Sequence, residues 1–276
     1  MIGNSTMGEP DSKLQAFTLA ESILDSVDSS KSEMSAVSEE ILRDRKELFQ
    51  EALLLQLAGI SLLSGLQNTL PIGVRYALML ASSIFDHLLY GWHANLQAYY
   101  RVSLSLLRII HESTVFELAV SVDEKALQEW LNGTLRVPGA RPKVVDFLKG
   151  MSTDLIADTW AANQQKKWKE LHKLAHASWE GISAPAARVR TKSGTPLYSP
   201  AGRILNPALC FDLGLEYVKA ATDAVVTMRL AFSPLDQEEL WRARQKNYLA
   251  RANAELLKEC KIDENVLSHV KKTLGE

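Results

Sequence analysis

The most continuous apolar pattern in the chain covers residues 99–122. At about 100° per residue, apolar side chains take up most of the circumference of a helix there, which is typical of the centre of a bundle. Because unpaired charge is costly to bury, the polar row that remains is expected either to pair internally or to line an open groove. That row consists of Arg101, Ser105, Arg108 and Glu112.

The same periodicity predicts further helices on both sides of this stretch, and no segment alternates like a strand over more than a few residues. Pro138, Gly139 and Pro142 predict a loop before one short helix. Ser233, followed by Pro234, is expected to be the N-cap of a long helix. The helices are predicted at about 36–67, 74–92, 99–122, 124–132, 143–150, 152–178, 208–232 and 233–260, with a small last helix after Asp263.

These elements predict an all-α fold, a multi-helix bundle with helical extensions at both ends. Residues 1–33 are expected to form a flexible tail and a short outer helix. The bundle core is expected over 34–232, with an irregular, proline-rich loop at 181–207. Residues 233–276 are expected to add amphipathic C-terminal helices.

Composition narrows the class of protein. Of 276 residues, 46% are apolar and 23% charged, as in ordinary soluble globular proteins, and the net charge of −2 gives no global attraction to nucleic acid or anionic membranes. Two cysteines and an N-terminus without a secretory pattern favour the cytoplasm. The uncharged stretch 52–74 is long enough to span a membrane, but Gln56, Pro71 and Gly73 favour a buried bundle helix, so no membrane is expected as a partner.

The first candidate site is Arg108 with Glu112, and His111 lies next to it in the sequence. Side chains at i and i+4 of a helix can meet. One interpretation is a buried ion pair that fixes the register of the bundle. The other is a site in which Arg108 binds an anion while Glu112 orients it or acts as a base.

The second candidate lies on the helix before the loop, where Trp168, His172, His176 and Trp179 share one face. Two histidines at i and i+4 can bind one metal ion, but the site needs a further protein ligand. The alternative is an aromatic and histidine seam in the core. The glutamate and histidine repeats of carboxylate di-metal bundles are absent, and no cofactor is expected.

The third candidate is a set of basic residues on and after that helix. They could hold phosphates locally, which makes RNA a candidate partner, although solvated surface lysines are commoner. The set is Lys166, Lys169, Lys173, Arg188 and Arg190.

At LLRIIHES and HKLAHASWEG the chain resembles a loose group of uncharacterised bacterial helical-bundle proteins. The matching positions are Arg108, Glu112, His176 and Ser178, within roughly residues 70–180. That group is similar to HEPN bundles, which include ribonucleases of toxin and phage-defence systems. The resemblance implies a HEPN-like core. The ribonuclease members space their Arg and His further apart than Arg108 and His111, so the resemblance supports the bundle more than a nuclease.

Three hypotheses of function follow. The chain lacks nucleophile elbows, P-loops, dinucleotide-binding glycine patterns and zinc ribbons, so the first is a non-catalytic binding or assembly module with a protein partner or a second copy of itself. The alternatives are a HEPN-like ribonuclease or defence effector using Arg108, Glu112 and His176, and a metal-dependent enzyme using His172 and His176. Ser178, Arg188 and Arg190 join His111 as further candidate binding residues.

Overall fold

In the computed structural model, the described residues are 35–151, 154–175 and 206–256, without the side chains at 154–156, 159 and 172–175. Their regular secondary structure is helical throughout, which confirms the predicted all-α multi-helix bundle. A helical segment at 35–41 leads into the first long helix. The helices are α1 (Arg43–Leu66), α2 (Ile72–Leu96), α3 (Tyr100–Val122), α4 (Glu124–Leu131), α5 (Val137–Met151), α6 (Asp154–Ala175), α7 (Pro207–Ala231) and α8 (Glu239–Leu256), with a short 3-10 helix at Ser233–Gln237.

Helix α3 lies at the centre of the bundle. It packs against α2, α4, α5, α6 and α7. Its C-terminal half is surrounded by protein: Val115, Leu118, Ala119 and Val120 are all buried. Its N-terminal half has an exposed edge, where Val102 remains 51% exposed. The polar row runs from this half to the middle of the helix, at Glu112.

An aromatic cluster joins α1, α2 and α7. Phe49 stacks on Trp92 with ring centroids 4.3 Å apart, and Tyr217 meets both rings edge-on. The Tyr217 hydroxyl donates a 2.7 Å hydrogen bond to the Ser103 carbonyl of α3. This approach requires Gly91, since a Cβ atom there would lie 1.9 Å from the Tyr217 hydroxyl oxygen.

The start of α7 is fixed by hydrogen bonds with α2 and α3. The Asn206 side chain caps α7 by accepting from the Leu209 N–H at 3.0 Å. The Tyr100 hydroxyl accepts from the Asn206 N–H at 3.0 Å. In addition, the Asn95 amide donates to the Cys210 carbonyl at 3.0 Å. These three hydrogen bonds give the first turn of α7 a defined position against α2 and α3.

Helix α8 packs across α1 and α7. The Trp241 indole N–H donates to the Leu55 carbonyl at 2.9 Å, and the Gln245 amide donates to the Val225 carbonyl at 3.2 Å. Both donors are buried. The residues from 239 to 256 are thus part of the bundle surface rather than a detached extension.

The predicted loop at Pro138, Gly139 and Pro142 is wrong, because these residues lie inside α5. Pro138 falls in the first turn, where a backbone N–H has no helical partner to lose. Pro142 removes one helical hydrogen bond. The apolar face that packs on α3 outweighs that loss, and it consists of Val137, Ala140, Val144 and Leu148.

The prediction that Ser233 caps a long helix is also wrong. Ser233 is the first residue of the 3-10 helix, whose N-cap position is Phe232, while α8 begins at Glu239. Leu235 is fully buried. Insertion of this side chain into the core favours the tighter turn, and Glu238, with φ −86° and ψ 88°, then separates the two helices.

The uncharged stretch 52–74 is not one helix, since α1 ends at Leu66 and α2 begins at Ile72. The stretch was expected to be a buried helix, and for α1 this holds on one face only. Leu63 is buried, whereas Leu54 is 66% and Leu57 50% exposed. Both α1 and α2 have the length and composition of a membrane-crossing helix, a property that core helices of soluble proteins share. The expectation that the protein has no membrane partner therefore stays a prediction.

Candidate functional site

The polar row of α3 forms an ion pair at the edge of the bundle. Arg108 Nε donates to Glu112 Oε1 at 2.9 Å, and the two side chains are 24% and 26% exposed. The pair is therefore neither sealed in the core nor fully solvated. The sequence raised two possibilities for this row, an internal ion pair and an open groove. Both hold, because the two side chains pair with each other and also face an opening.

The opening is a cleft of about 500 Å³, named here the α3–α6 cleft. Helix α3 forms one wall, the turn between α4 and α5 forms the second, and Trp168 of α6 closes the third. Its described lining consists of Arg108, Glu112, Phe116, Trp130, Gly133, Leu135, Arg136, Val137, Pro138 and Trp168.

The turn between α4 and α5 places an indole and a guanidinium on the cleft. Gly133 takes a positive φ of 67°, a conformation that favours glycine, and reverses the chain after α4. Trp130 is held by an edge-to-face contact with Tyr76 at 5.9 Å between ring centroids. The Arg136 guanidinium donates to the Gly133 carbonyl at 3.0 Å, which fixes it at the rim.

His111 does not belong to this cleft. Its side chain is 7% exposed and lines a separate cavity of about 20 Å³ between α3, α6 and α7. Burial, reinforced by the nearby Lys167 ammonium group, lowers the pKa of His111 to about 4, so the imidazole is neutral at pH 7. Sequence adjacency to Glu112 suggested a shared site, but one residue along a helix turns the side chain by about 100°, to another face.

The other predicted site residues fall into two groups. Lys166 and Lys169 lie exposed on α6 and outside the lining of the α3–α6 cleft. The rest lie outside the described residues: the side chains of His172 and Lys173, and all of His176, Ser178, Arg188 and Arg190. Among the described residues, no group of three His, Cys, Asp or Glu side chains is placed to hold a metal ion.

Several polar residues of the interior were not singled out from the sequence. Glu117 of α3 is fully buried, and neither carboxylate oxygen has a hydrogen-bond partner. Burial raises the pKa of Glu117 well above its ordinary value. Gln164 of α6 is 8% exposed, with an unpartnered side-chain oxygen. The only feature of the sequence that could have indicated a buried carboxyl group is the position of Glu117 within an apolar run, five residues after Glu112.

Comparison with known proteins gives no match: no family model, no curated protein and no solved structure matches the chain. The resemblance to HEPN bundles accordingly stays a prediction from the short motifs around Arg108 and His176.

Proposed function

We propose that the protein is a non-catalytic helical recognition module that binds an acidic segment of a partner protein in the α3–α6 cleft. The observation that carries this proposal is the half-buried Arg108–Glu112 pair in the wall of an open cleft that also holds two tryptophans. Aromatic and arginine side chains are the groups that most often anchor protein interfaces.

The composition of the cleft favours recognition over chemistry. Its described lining contains no histidine, cysteine, serine, threonine or lysine. Glu112 is held by Arg108 at 2.9 Å, and the described lining offers no nucleophile for it to activate. A positioned nucleophile and base are what covalent or general-base catalysis needs, and the described part of this site offers neither.

The charge of the cleft favours an acidic protein segment over RNA. Arg108 and Arg136 outnumber Glu112 by one positive charge. RNA binding usually relies on a longer track of basic residues, and the exposed Lys166 and Lys169 lie elsewhere. The remaining walls are largely apolar, which suits a segment that carries acidic and apolar side chains together.

The test uses the full chain and two fluorescent probes, the peptide Asp-Leu-Glu-Phe-Asp-Leu-Glu-Phe and an oligouridine RNA. We expect the wild type to bind the peptide saturably and Arg136→Ala to bind it at least about tenfold more weakly. We expect neither protein to cleave the RNA. Lys125→Ala is the control, because Lys125 is exposed on α4 and is not among the lining residues. Failure of the peptide to bind would refute the proposal.

The ribonuclease hypothesis is the second candidate, and the opening beside Arg108 is the observation in its favour. It requires His176, which lies outside the described residues. RNA cleavage or growth arrest on expression, relieved in both Arg108→Ala and His176→Ala with the fold intact, would establish it in place of the binding module.

A further inference from the structure

A second groove lies between α6 and α7, on a different side of α6 from Trp168. This α6–α7 groove has a volume of about 470 Å³. At its inner end it meets the cavity of about 20 Å³ that His111 lines, since Gln164, Lys167, Glu216 and Asp223 border both spaces. A cavity of that size accepts one water-sized group.

Two buried acceptors without partners border the inner cavity. His111 is 7% exposed and Gln164 is 8% exposed, and the His111 Nε2 and Gln164 Oε1 atoms have no hydrogen-bond partner. The imidazole already makes a hydrogen bond to the Gln164 backbone, which leaves Nε2 of the neutral ring as an acceptor. Buried polar atoms are normally paired, so both atoms point to a group that donates hydrogen bonds.

The charges around the groove change sign from its inner end to its mouth. The inner cavity is lined by one cation, Lys167, and two anions, Glu216 and Asp223. The outer part of the groove adds Lys166 and Lys219 against Glu170. The ion pairs Lys167–Asp223 at 2.9 Å and Lys219–Glu216 at 2.6 Å hold these side chains in place.

We propose that the α6–α7 groove binds a small zwitterionic amino compound, of which an amino acid is the simplest, with its ammonium group in the inner cavity. The ammonium group donates to His111 Nε2 and Gln164 Oε1 and is attracted by the excess negative charge there. The carboxylate lies towards the mouth, where Lys166 and Lys219 are the cations. This site is independent of the α3–α6 cleft.

Isothermal titration calorimetry of the full chain with glycine, β-alanine and γ-aminobutyrate tests the site, because this series varies the separation of the two charged groups. Ethylamine and acetate are the single-charge comparisons. At least one zwitterion is expected to bind at least about tenfold more tightly than either. No binding by any member of the series, or equal binding of acetate, would overturn the proposal.

Two variants locate the ligand. Gln164→Leu removes an acceptor that has no partner, so we expect the fold to keep its thermal stability while zwitterion binding falls at least about tenfold. Lys219→Met is expected to weaken the zwitterion but not ethylamine, because it removes a cation of the mouth and the partner of Glu216. The exposed Lys125→Met is the matched control. Zwitterion binding that is unaffected by both groove variants would place the ligand elsewhere and refute the assignment.

Discussion

The buried carboxyl group of Glu117 makes the stability of the bundle depend on pH. The substitution Glu117→Gln removes this dependence. The side chain is 0% exposed and burial raises its pKa well above the ordinary value, so the folded state holds a proton that the unfolded state loses above about pH 4.5. The unfolded state then binds fewer protons than the folded state. The free energy of unfolding falls as pH rises, by about 1.4 kcal/mol per pH unit, until pH reaches the native pKa.

His111 has the opposite sign and defines the pH range to use. Its pKa is lowered from 6.5 to about 4, so the unfolded state binds the extra proton between these values and stability rises with pH. Between about pH 4.5 and 6.5 the two effects largely cancel. Above about pH 6.5 the imidazole is neutral in both states, and the Glu117 effect remains.

The assay is urea denaturation of the wild type and Glu117→Gln at about pH 6.5, 7.5 and 8.5. We expect the variant to gain about 1.4 kcal/mol over the wild type for each pH unit, until the native pKa is reached. Glu112→Gln is the control for removing a carboxylate: that side chain is 26% exposed and paired with Arg108, so its substitution should cost little stability. A difference between Glu117→Gln and wild type that does not change with pH would refute the reasoning.

Two further predictions concern packing and capping. Gly91→Ala is expected to destabilise the protein by about 2–3 kcal/mol, because its Cβ would lie 1.9 Å from the Tyr217 hydroxyl oxygen. Removing that oxygen in the double variant with Tyr217→Phe should recover part of the loss, whereas an unchanged melting temperature for Gly91→Ala would contradict the close approach. Asn206→Ala removes the cap of α7 and should cost about 1 kcal/mol in urea denaturation, a loss that Asn132→Ala, at the exposed end of α4, should not reproduce.

Much of the fold is encoded locally and could be predicted from the sequence. The apolar run at 99–122 identified the central helix because a helix that packs on several sides needs apolar residues around its circumference. The short helix predicted at 124–132 is α4, and the Asp123 carboxylate caps it by accepting from the Ala126 N–H. The i and i+4 spacing of Arg108 and Glu112 was sufficient to predict that the two side chains meet.

The remainder depends on tertiary packing. Pro142 has a strong local preference against the interior of a helix, but an apolar face packed on α3 overrides it. Trp130 and Arg136 reach the α3–α6 cleft through the turn at Gly133, and neither residue is distinctive in the sequence. Gln164 and His111, far apart in the chain, meet because α6 packs on α3.

The most direct test of the recognition module is a charge reversal at Arg136, read by fluorescence anisotropy with the acidic peptide and with its basic counterpart, Lys-Leu-Arg-Phe-Lys-Leu-Arg-Phe. The wild type is expected to prefer the acidic peptide, and Arg136→Glu should lose that preference and gain affinity for the basic one, because the net charge of the cleft changes sign. Equal binding of each peptide to both proteins would contradict the claim that this cleft recognises an acidic partner.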